Sequence, residues 1–130
     1  MASPRIVLAN GVFDLWHIGH LRYLEAAKRM GDILIVSVTR DAFVNKGPDK
    51  PVYNENERLL VVASQRCVDY AFLVNSAAQA LQTLPHIFVK GREYEGKIEP
   101  LHQAFCDKHN IQIRFTDTEE IRPNARLGQG

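Results

Sequence analysis

The first predicted strand and the first predicted helix are joined by Asn10-Gly11-Val12-Phe13-Asp14-Leu15-Trp16-His17-Ile18-Gly19-His20. Before this stretch, residues 5–9 form a short apolar run that indicates a buried strand. After it, apolar residues recur at near-helical spacing from Leu21 to Met30, which predicts a helix. A strand, a loop and a helix N-terminus in this order predict a ligand site outside the carboxyl end of the strand, as is usual in α/β sheets.

This junction suits phosphate, because a helix N-terminus offers unpaired N–H groups and the positive end of a dipole. His17 lies on the loop and His20 at or just inside the helix start, while Gly19 between them allows a close approach of the backbone. Imidazoles can donate hydrogen bonds to phosphate oxygens and exchange protons near neutral pH. A lone histidine is more often a surface residue, but two histidines that flank a glycine here favour a phosphate site.

The block from Gly11 to His20 resembles the opening of nucleotidyltransferases that carry an HxGH motif. Its pattern, G-x-F-D-x-x-H-x-G-H followed by a helix and a Gly-Asp turn, is similar to the cytidylyltransferase-like family. Within that family the nearest resemblance is to glycerol-3-phosphate cytidylyltransferases and heptose-phosphate adenylyltransferase domains. The short HxGH motif alone would be weak, whereas the longer block is specific, and the resemblance covers roughly residues 5–115.

Composition limits the possible partners. The chain has 130 residues, 45% of them hydrophobic and 24% charged, which predicts one domain over residues 1–130. A net charge of +1 gives no broad basic face for nucleic acid, and no run of about 18 apolar residues predicts a membrane span. The N-terminus lacks the apolar segment of a signal peptide, so we expect a cytoplasmic location and neither nucleic acid nor membrane as a partner.

Strands and helices alternate along the chain, which predicts the fold class. Apolar runs near residues 33–39, 68–74, 86–89 and 111–115 follow the first strand, and helical patterns lie between them. We therefore expect one Rossmann-like, doubly wound α/β domain with a mostly parallel five-stranded sheet and helices on both faces.

The resemblance also implies which residues form the site. It gives catalytic roles to His17, His20 and Lys46, the last on a polar loop broken by Gly47, Pro48 and Pro51. It implies nucleotide binding by Gly11, Val12, Phe13, Asp14, Gly19, Lys90, Gly91, Arg92 and Tyr94. Within that set, backbone amides would cradle phosphate, Asp14 would anchor the loop or help to position a metal, and Phe13 would shape the pocket. For residues 90–97 the alternative is an ordinary solvated loop.

Two further residues are candidates for a substrate or interface role. Asp41 either caps a short helical segment at residues 42–45 or lines the site. Arg58 belongs to a Glu57-Arg58 pair similar to the one that opens this helix in the family, where the arginine contributes near the active site or a dimer interface. The alternative for Arg58 is a surface ion pair one helical turn away. Asn54 is predicted to cap the same helix, with Glu57 completing a capping box.

The tail departs from the family pattern. Relatives follow the last strand with a Ser/Thr element that binds nucleotide phosphates, but residues 116–130 carry no Ser/Thr pair at the expected place. We therefore describe residues 116–130 as a diverged or disordered tail. A diverged site, a chain cut from a longer protein and a domain without catalysis all remain open explanations.

The resemblance implies a reaction in which an NMP group passes from an NTP to a polyol phosphate or sugar phosphate, with release of pyrophosphate. It further implies Mg²⁺ as cofactor and a homodimer. Residues 94–97 are similar to the glycerol-phosphate enzymes, whereas residues 89–91 are similar to the ATP-dependent heptose-phosphate enzymes. CTP is preferred because a polyol phosphate needs only a compact acceptor site. The alternatives are therefore a heptose-phosphate type of adenylyltransferase and a non-catalytic nucleotide-binding module of a larger protein. A dinucleotide-dependent oxidoreductase is disfavoured, because the first loop lacks G-x-G-x-x-G.

Overall fold

A computed structural model describes residues 3–117. Its sheet has five strands in the order β3-β2-β1-β4-β5, and every neighbouring pair is parallel. The strands are β1 (Ile6–Gly11), β2 (Ile33–Thr39), β3 (Tyr70–Val74), β4 (Ile87–Lys90) and β5 (Gln112–Phe115). The five-stranded parallel sheet predicted from the sequence is confirmed, and no antiparallel pair occurs within residues 3–117.

Four helices cover the two faces of this sheet. They are α1 (Ile18–Lys28), α2 (Glu55–Ala63), α3 (Ala77–Leu81) and α4 (Pro100–Lys108), with short 3₁₀ turns at Asp41–Phe43 and Arg92–Tyr94. Alternate residues of β1 point to opposite cores, as the pleat of a strand requires. Val7 packs in the core formed with α1 and α2, and Leu8 in the core formed with α3 and α4. Both faces are therefore covered, as the doubly wound prediction requires.

The strand order creates a switch point beside β1. The chain first winds from β1 to β2 and β3, and then crosses back so that β4 lies on the other side of β1. The connections that leave β1 and β4 diverge to opposite faces, which opens a crevice between their carboxyl ends. Residues after β1 and after β4 are thus brought to one place although they are far apart in the sequence.

Local chemistry explains where α2 begins. The Asn54 side chain accepts a hydrogen bond from the Glu57 amide at 2.9 Å, and the Glu57 carboxylate accepts one from the Asn54 amide at 3.0 Å. The predicted capping box is therefore confirmed. Within the described part of the chain, none of the helices combines the length and apolar character needed to cross a membrane.

Candidate active site

A cleft of about 590 Å³ lies at the switch point, at the carboxyl ends of β1 and β4. One wall comes from the loop after β1 and the first turn of α1, and the other from the loop after β4. The lining residues are Asn10, Gly11, Val12, Phe13, Asp14, His17, Gly19, His20, Tyr23, Thr39, Lys46, Lys90, Gly91, Glu93 and Tyr94. All three residues predicted to be catalytic and eight of the nine predicted to bind nucleotide meet in this cleft.

The two histidines at the start of α1 cap the helix. His17 is the N-cap, and its Nδ1 accepts a hydrogen bond from the Gly19 amide at 3.0 Å. The Nδ1 of His20 accepts a hydrogen bond from the His17 amide at 3.2 Å. The two rings stack with centroids 3.9 Å apart. Because the Gly19 amide donates its hydrogen bond to the His17 ring, it is not available to bind phosphate as expected.

This capping arrangement fixes which nitrogen of each ring carries the proton. A neutral imidazole has one N–H and one acceptor nitrogen, and here both Nδ1 atoms act as acceptors. Each ring is therefore an Nε2–H donor. Burial, aided by the nearby His17 and Lys46 and opposed by Asp14, lowers the pKa of His20 to about 4. At neutral pH His20 is thus an uncharged donor on the cleft wall.

Asp14 anchors the loop that carries Lys46. Its two carboxylate oxygens accept hydrogen bonds from the Val52 amide at 2.7 Å and the Tyr53 amide at 2.9 Å. Burial acts to raise the pKa of Asp14, but the backbone hydrogen bonds of Tyr53, Val52 and Leu15 and the Arg58 charge outweigh it, and the pKa lies below its usual value. Of the two roles predicted for Asp14, the structure therefore supports the loop anchor.

The loop between β1 and α1 is strained. Phe13 and Leu15 have positive φ angles of 56° and 50°, which cost non-glycine residues roughly 1–2 kcal/mol each. Phe13 is nevertheless buried, and its ring lies against the space that a Cβ on Gly11 would occupy, 2.9 Å from that position. Strain of this kind is stored where surrounding contacts impose it, commonly at functional sites.

Arg58 makes one of these contacts through the Val12 carbonyl, next to Phe13. It is 1% exposed, its Nη1 donates to the Val12 carbonyl at 2.7 Å, and its Nε donates to the Tyr53 carbonyl at 2.9 Å. Its Nη2 donates to the Asp41 carboxylate at 2.6 Å. The surface ion pair considered for Arg58 is wrong, and its burial leaves no exposed guanidinium for substrate or for a partner subunit. Arg58 instead ties three loops together.

Asp41 also has a different role from the one predicted. The 3₁₀ turn at Asp41–Phe43 begins after Arg40, and no side chain caps it. The capping role is therefore wrong, and because Asp41 is not among the lining residues of the cleft, a direct substrate role is not supported either. The carboxylate pairs with Arg58, a contact between distant loops that no local pattern indicates.

The opposite wall of the cleft is built on the loop after β4. Lys90 Nζ lies 4.3 Å from the centroid of the Tyr94 ring, close enough for a cation–π contact. Burial lowers the pKa of Lys90, while Glu99 and Glu93 oppose this shift. A Cβ on Gly91 would overlap the present position of the Glu93 carboxylate, so a larger residue there would displace that flexible side chain. The wall thus combines an ammonium group, an aromatic ring and a carboxylate.

One predicted nucleotide-binding residue lies outside the cleft. Arg92 is exposed, and its guanidinium is 3.3 Å from the Asp117 carboxylate. The structure therefore does not bring Arg92 to the other site residues. Of the predicted tail at residues 116–130, the structure describes only Thr116, which is buried and whose amide donates to the Lys90 carbonyl at 3.0 Å, and Asp117. The rest of the tail lies outside the described residues.

Four lining residues were not predicted. Asn10 is the second-last residue of β1 and Thr39 the last residue of β2, Tyr23 follows His20 by one helical turn, and Glu93 lies two residues after Gly91. Polar residues at the carboxyl ends of parallel strands are a signal that could have identified Asn10 and Thr39. Tyr23 looks apolar in the helical pattern, yet its hydroxyl donates to the Val89 carbonyl at 2.8 Å, and burial raises its pKa.

Comparison with known proteins agrees with this site. A sequence model of the family described as cytidylyltransferase-like matches residues 8–122. The bifunctional protein HldE of Helicobacter pylori strain G27 is 46% identical over 100 residues, which are 73% of this chain and 22% of that protein. The bifunctional protein HldE of Aliarcobacter butzleri strain RM4018 is 36% identical over 120 residues, which are 88% of this chain and 25% of that protein. The chain thus spans a quarter or less of the length of these two relatives.

Solved structures share the fold. The lipopolysaccharide core biosynthesis protein from Thermoplasma volcanium GSS1 matches with a TM-score of 0.70 and 31% identity, over 87% of this chain and 94% of that chain. Pantoate-beta-alanine ligase from Francisella tularensis matches with a TM-score of 0.65 over 89% of this chain and 60% of that chain. At 16% identity, the second match shows the fold alone.

Proposed function

Because the chain belongs to the cytidylyltransferase-like family, we propose that it transfers a nucleotidyl group from an NTP to a phosphorylated polyol or sugar. An oxygen of the acceptor phosphate attacks the α-phosphorus, the bond from that phosphorus to the β-phosphate oxygen breaks, and pyrophosphate leaves. The observation that carries this proposal is the pair of Nε2–H donors on the wall of a cleft that also holds Lys46 and Lys90.

In this proposal the chain contributes positioning and charge compensation. His17 and His20 donate hydrogen bonds to phosphate oxygens on which negative charge develops in the transition state. Lys46 and Lys90 compensate the charge of the triphosphate and of the acceptor phosphate from opposite walls. Fixed donors in a partly desolvated cleft stabilise such charge more strongly than water does.

Mg²⁺ is proposed as the cofactor, and it would be held mainly by the nucleotide. Residues 3–117 contain no group of three His, Cys, Asp or Glu side chains arranged to hold a metal ion. The Asp14 carboxylate already accepts two amide hydrogen bonds. The residues of the cleft therefore fit an ion that is bound chiefly by phosphate oxygens and water, which is a common mode for Mg²⁺. Bound there, Mg²⁺ would supply further charge compensation.

CTP and ATP are the two candidate nucleotides. The sequence favours CTP, whereas relatives named HldE support the heptose-phosphate adenylyltransferase alternative. Cytosine and adenine both carry an exocyclic amino group, so the Glu93 carboxylate on the cleft wall suits either base. A homodimer and a cytoplasmic location also stay proposals.

A pyrophosphate-release assay tests the reaction directly. CTP and ATP would each be paired with glycerol 3-phosphate and with a heptose 1-phosphate, in the presence of Mg²⁺. We expect release that requires one nucleotide and one acceptor together. Thermal stabilisation by a nucleotide without any pyrophosphate release would instead support the non-catalytic nucleotide-binding module. That alternative is favoured by the lack of a Ser/Thr pair in the tail.

A further inference from the structure

Trp16, the single tryptophan of the chain, lies against His20. The two ring centroids are 5.3 Å apart with planes inclined at 32°, and Trp16 also lies 6.3 Å from the Phe13 ring. The G-x-F-D-x-x-H-x-G-H pattern leaves position 16 open, so the motif itself gives Trp16 no role. Trp16 does not line the cleft, and its exposed side faces a second hollow of about 500 Å³ near α2.

We propose that Trp16 is a positioning residue that holds His20 with its Nε2–H directed into the cleft. Together with Phe13 and His17 it surrounds the His20 ring with three aromatic neighbours. The catalytic consequence of this role rests on the function proposed above, whereas the effect on the His20 ring itself does not.

The physical basis is stacking combined with exclusion of water. Ring pairs of this kind are favourable beyond the burial of their area, so the three neighbours restrict the orientation of the His20 ring. The hydrogen bond from the His17 amide to the His20 Nδ1 sets the tautomer, and the aromatic neighbours shield the faces and edge of the ring that they contact. Loss of the indole would admit water to one side of the imidazole.

Burial is also the largest cause of the low pKa of His20, ahead of the charges of His17 and Lys46, while Asp14 acts in the opposite direction. None of these charged groups is removed when Trp16 is replaced. A change in the His20 pKa after such a replacement would therefore report the loss of desolvation and not a change of neighbouring charge. The His20 pKa would stay unchanged if Trp16 only stabilised the fold, so measuring this pKa distinguishes the two roles.

The test compares Trp16→Leu and Trp16→Phe with the wild type and with the control Leu60→Ala. Leu keeps apolar volume without a ring, Phe keeps a smaller ring, and both are chosen to retain the fold. Leu60 lines the same second hollow but is 70% exposed, and its ring-free side chain takes no part in the stack around His20. Circular dichroism and thermal unfolding verify that all four proteins are folded.

The first measurement follows the imidazole signals of the free proteins by NMR as the pH is lowered. The chain has five histidines, and a His20→Gln variant assigns the signal. We expect the His20 pKa to move from about 4 in the wild type toward its ordinary value of 6.5 in Trp16→Leu. The shift should be smaller in Trp16→Phe and absent in Leu60→Ala. An unchanged His20 pKa in folded Trp16→Leu, or an equal shift in Leu60→Ala, would overturn the proposal.

The second measurement is turnover by the pyrophosphate assay at neutral pH. We expect kcat to fall by about tenfold in Trp16→Leu, because a displaced donor loses transition-state stabilisation, while KM for the nucleotide changes by about twofold or less. Absence of turnover in the wild type would contradict the proposed function, yet the NMR titration would still decide the role of Trp16. A rise in KM with unchanged kcat would show that Trp16 supports binding only and would overturn the positioning role.

Discussion

The amino ends of the strands form one edge of the sheet, here called the amino edge, and the carboxyl ends form the carboxyl edge. Both edges carry basic side chains, but these side chains have different roles. At the amino edge, Lys28 Nζ lies 2.7 Å from the Asp69 carboxylate, and Asp69 also accepts a hydrogen bond from the Leu34 amide. These contacts join α1, β2 and the start of β3. At the carboxyl edge, within residues 3–117, the His20 side chain has only its capping hydrogen bond, and the Lys46 side chain has no hydrogen-bonded or ion-pair partner. Groups that are satisfied hold a fold together, while groups left facing a cleft can bind a ligand.

The histidines show this contrast most clearly. His86 Nδ1 accepts a hydrogen bond from the Ile6 amide at 2.9 Å, much as His17 and His20 accept theirs. The same bond therefore occurs at both edges. Only at the carboxyl edge does it direct Nε2–H into a cleft that also holds lysines. The position of a histidine in the fold, and not its hydrogen-bond pattern, decides whether it can act on a ligand.

The largest effect is expected from Arg58→Met. The substitution leaves the Val12 and Tyr53 carbonyls and the partly exposed Asp41 carboxylate without their donor, and the loss of hydrogen bonds from a charged group costs about 1.5–3 kcal/mol. Urea unfolding should show this loss in the free energy of unfolding. Arg66→Met, which removes an exposed arginine, is the control and should stay within about 0.5 kcal/mol. Similar stabilities for the two variants would refute the linking role of Arg58.

The next effect is expected from the cleft histidines. His17→Asn and His20→Gln keep side chains that can cap the helix, so their thermal stability should stay near that of the wild type. Pyrophosphate release should nevertheless fall by about 10²–10³-fold, the usual cost of removing one transition-state donor. His86→Gln at the other edge is the matched control and should keep full turnover. The contrast between the edges would be contradicted if His86→Gln lost turnover or if His20→Gln kept the turnover of the wild type.

A smaller effect is expected from Asp14→Asn. Asparagine has one acceptor oxygen in place of two, so one of the amides of Val52 and Tyr53 loses its partner and the Lys46 loop loosens. We expect KM for the nucleotide to rise by about tenfold, with a smaller change in kcat. Steady-state kinetics over a range of nucleotide concentrations measure this. A fall in kcat at constant KM would instead indicate that Asp14 acts in the chemical step.

The pH dependence of the free energy of unfolding tests the burial of His20 at the carboxyl edge. The His20 pKa is about 4 in the folded protein, below its ordinary value of 6.5 in the unfolded chain. Between these values the unfolded state binds the proton and the folded state does not, so the free energy of unfolding should fall as the pH is lowered from about 6.5 to about 4. The slope should be smaller in His20→Gln. An equal slope in both proteins would show that other groups cause it.

The smallest effect is expected from Lys28→Met at the amino edge. The ion pair with Asp69 is partly exposed, and the hydrogen bond from Lys28 is the largest cause of the lowered pKa of Asp69. Partly exposed pairs contribute about 1 kcal/mol or less. Urea unfolding should show a loss within this range, and turnover should be unchanged. A clear loss of turnover would mean that the two edges are coupled.

Local sequence patterns predicted much of this molecule. The apolar runs predicted the five strands, and the spacing of Asn54 and Glu57 predicted a capping box. The block around His17 predicted the position of the cleft. Long-range polar contacts were not predicted, because periodicity says nothing about which loops meet. The Arg58–Asp41 pair and the Asp14 bonds to residues 52 and 53 are of this kind. The contact of Arg92 with Asp117, which lies outside the cleft although Arg92 follows Gly91 in sequence, was not predicted for the same reason.

A crystal structure with bound nucleotide tests the central claim most directly. The account predicts that the Nε2 atoms of His17 and His20 lie about 2.7–3.2 Å from phosphate oxygens, with Lys46 on the same side of the triphosphate. A nucleotide bound elsewhere, or phosphates that contact neither ring, would contradict it.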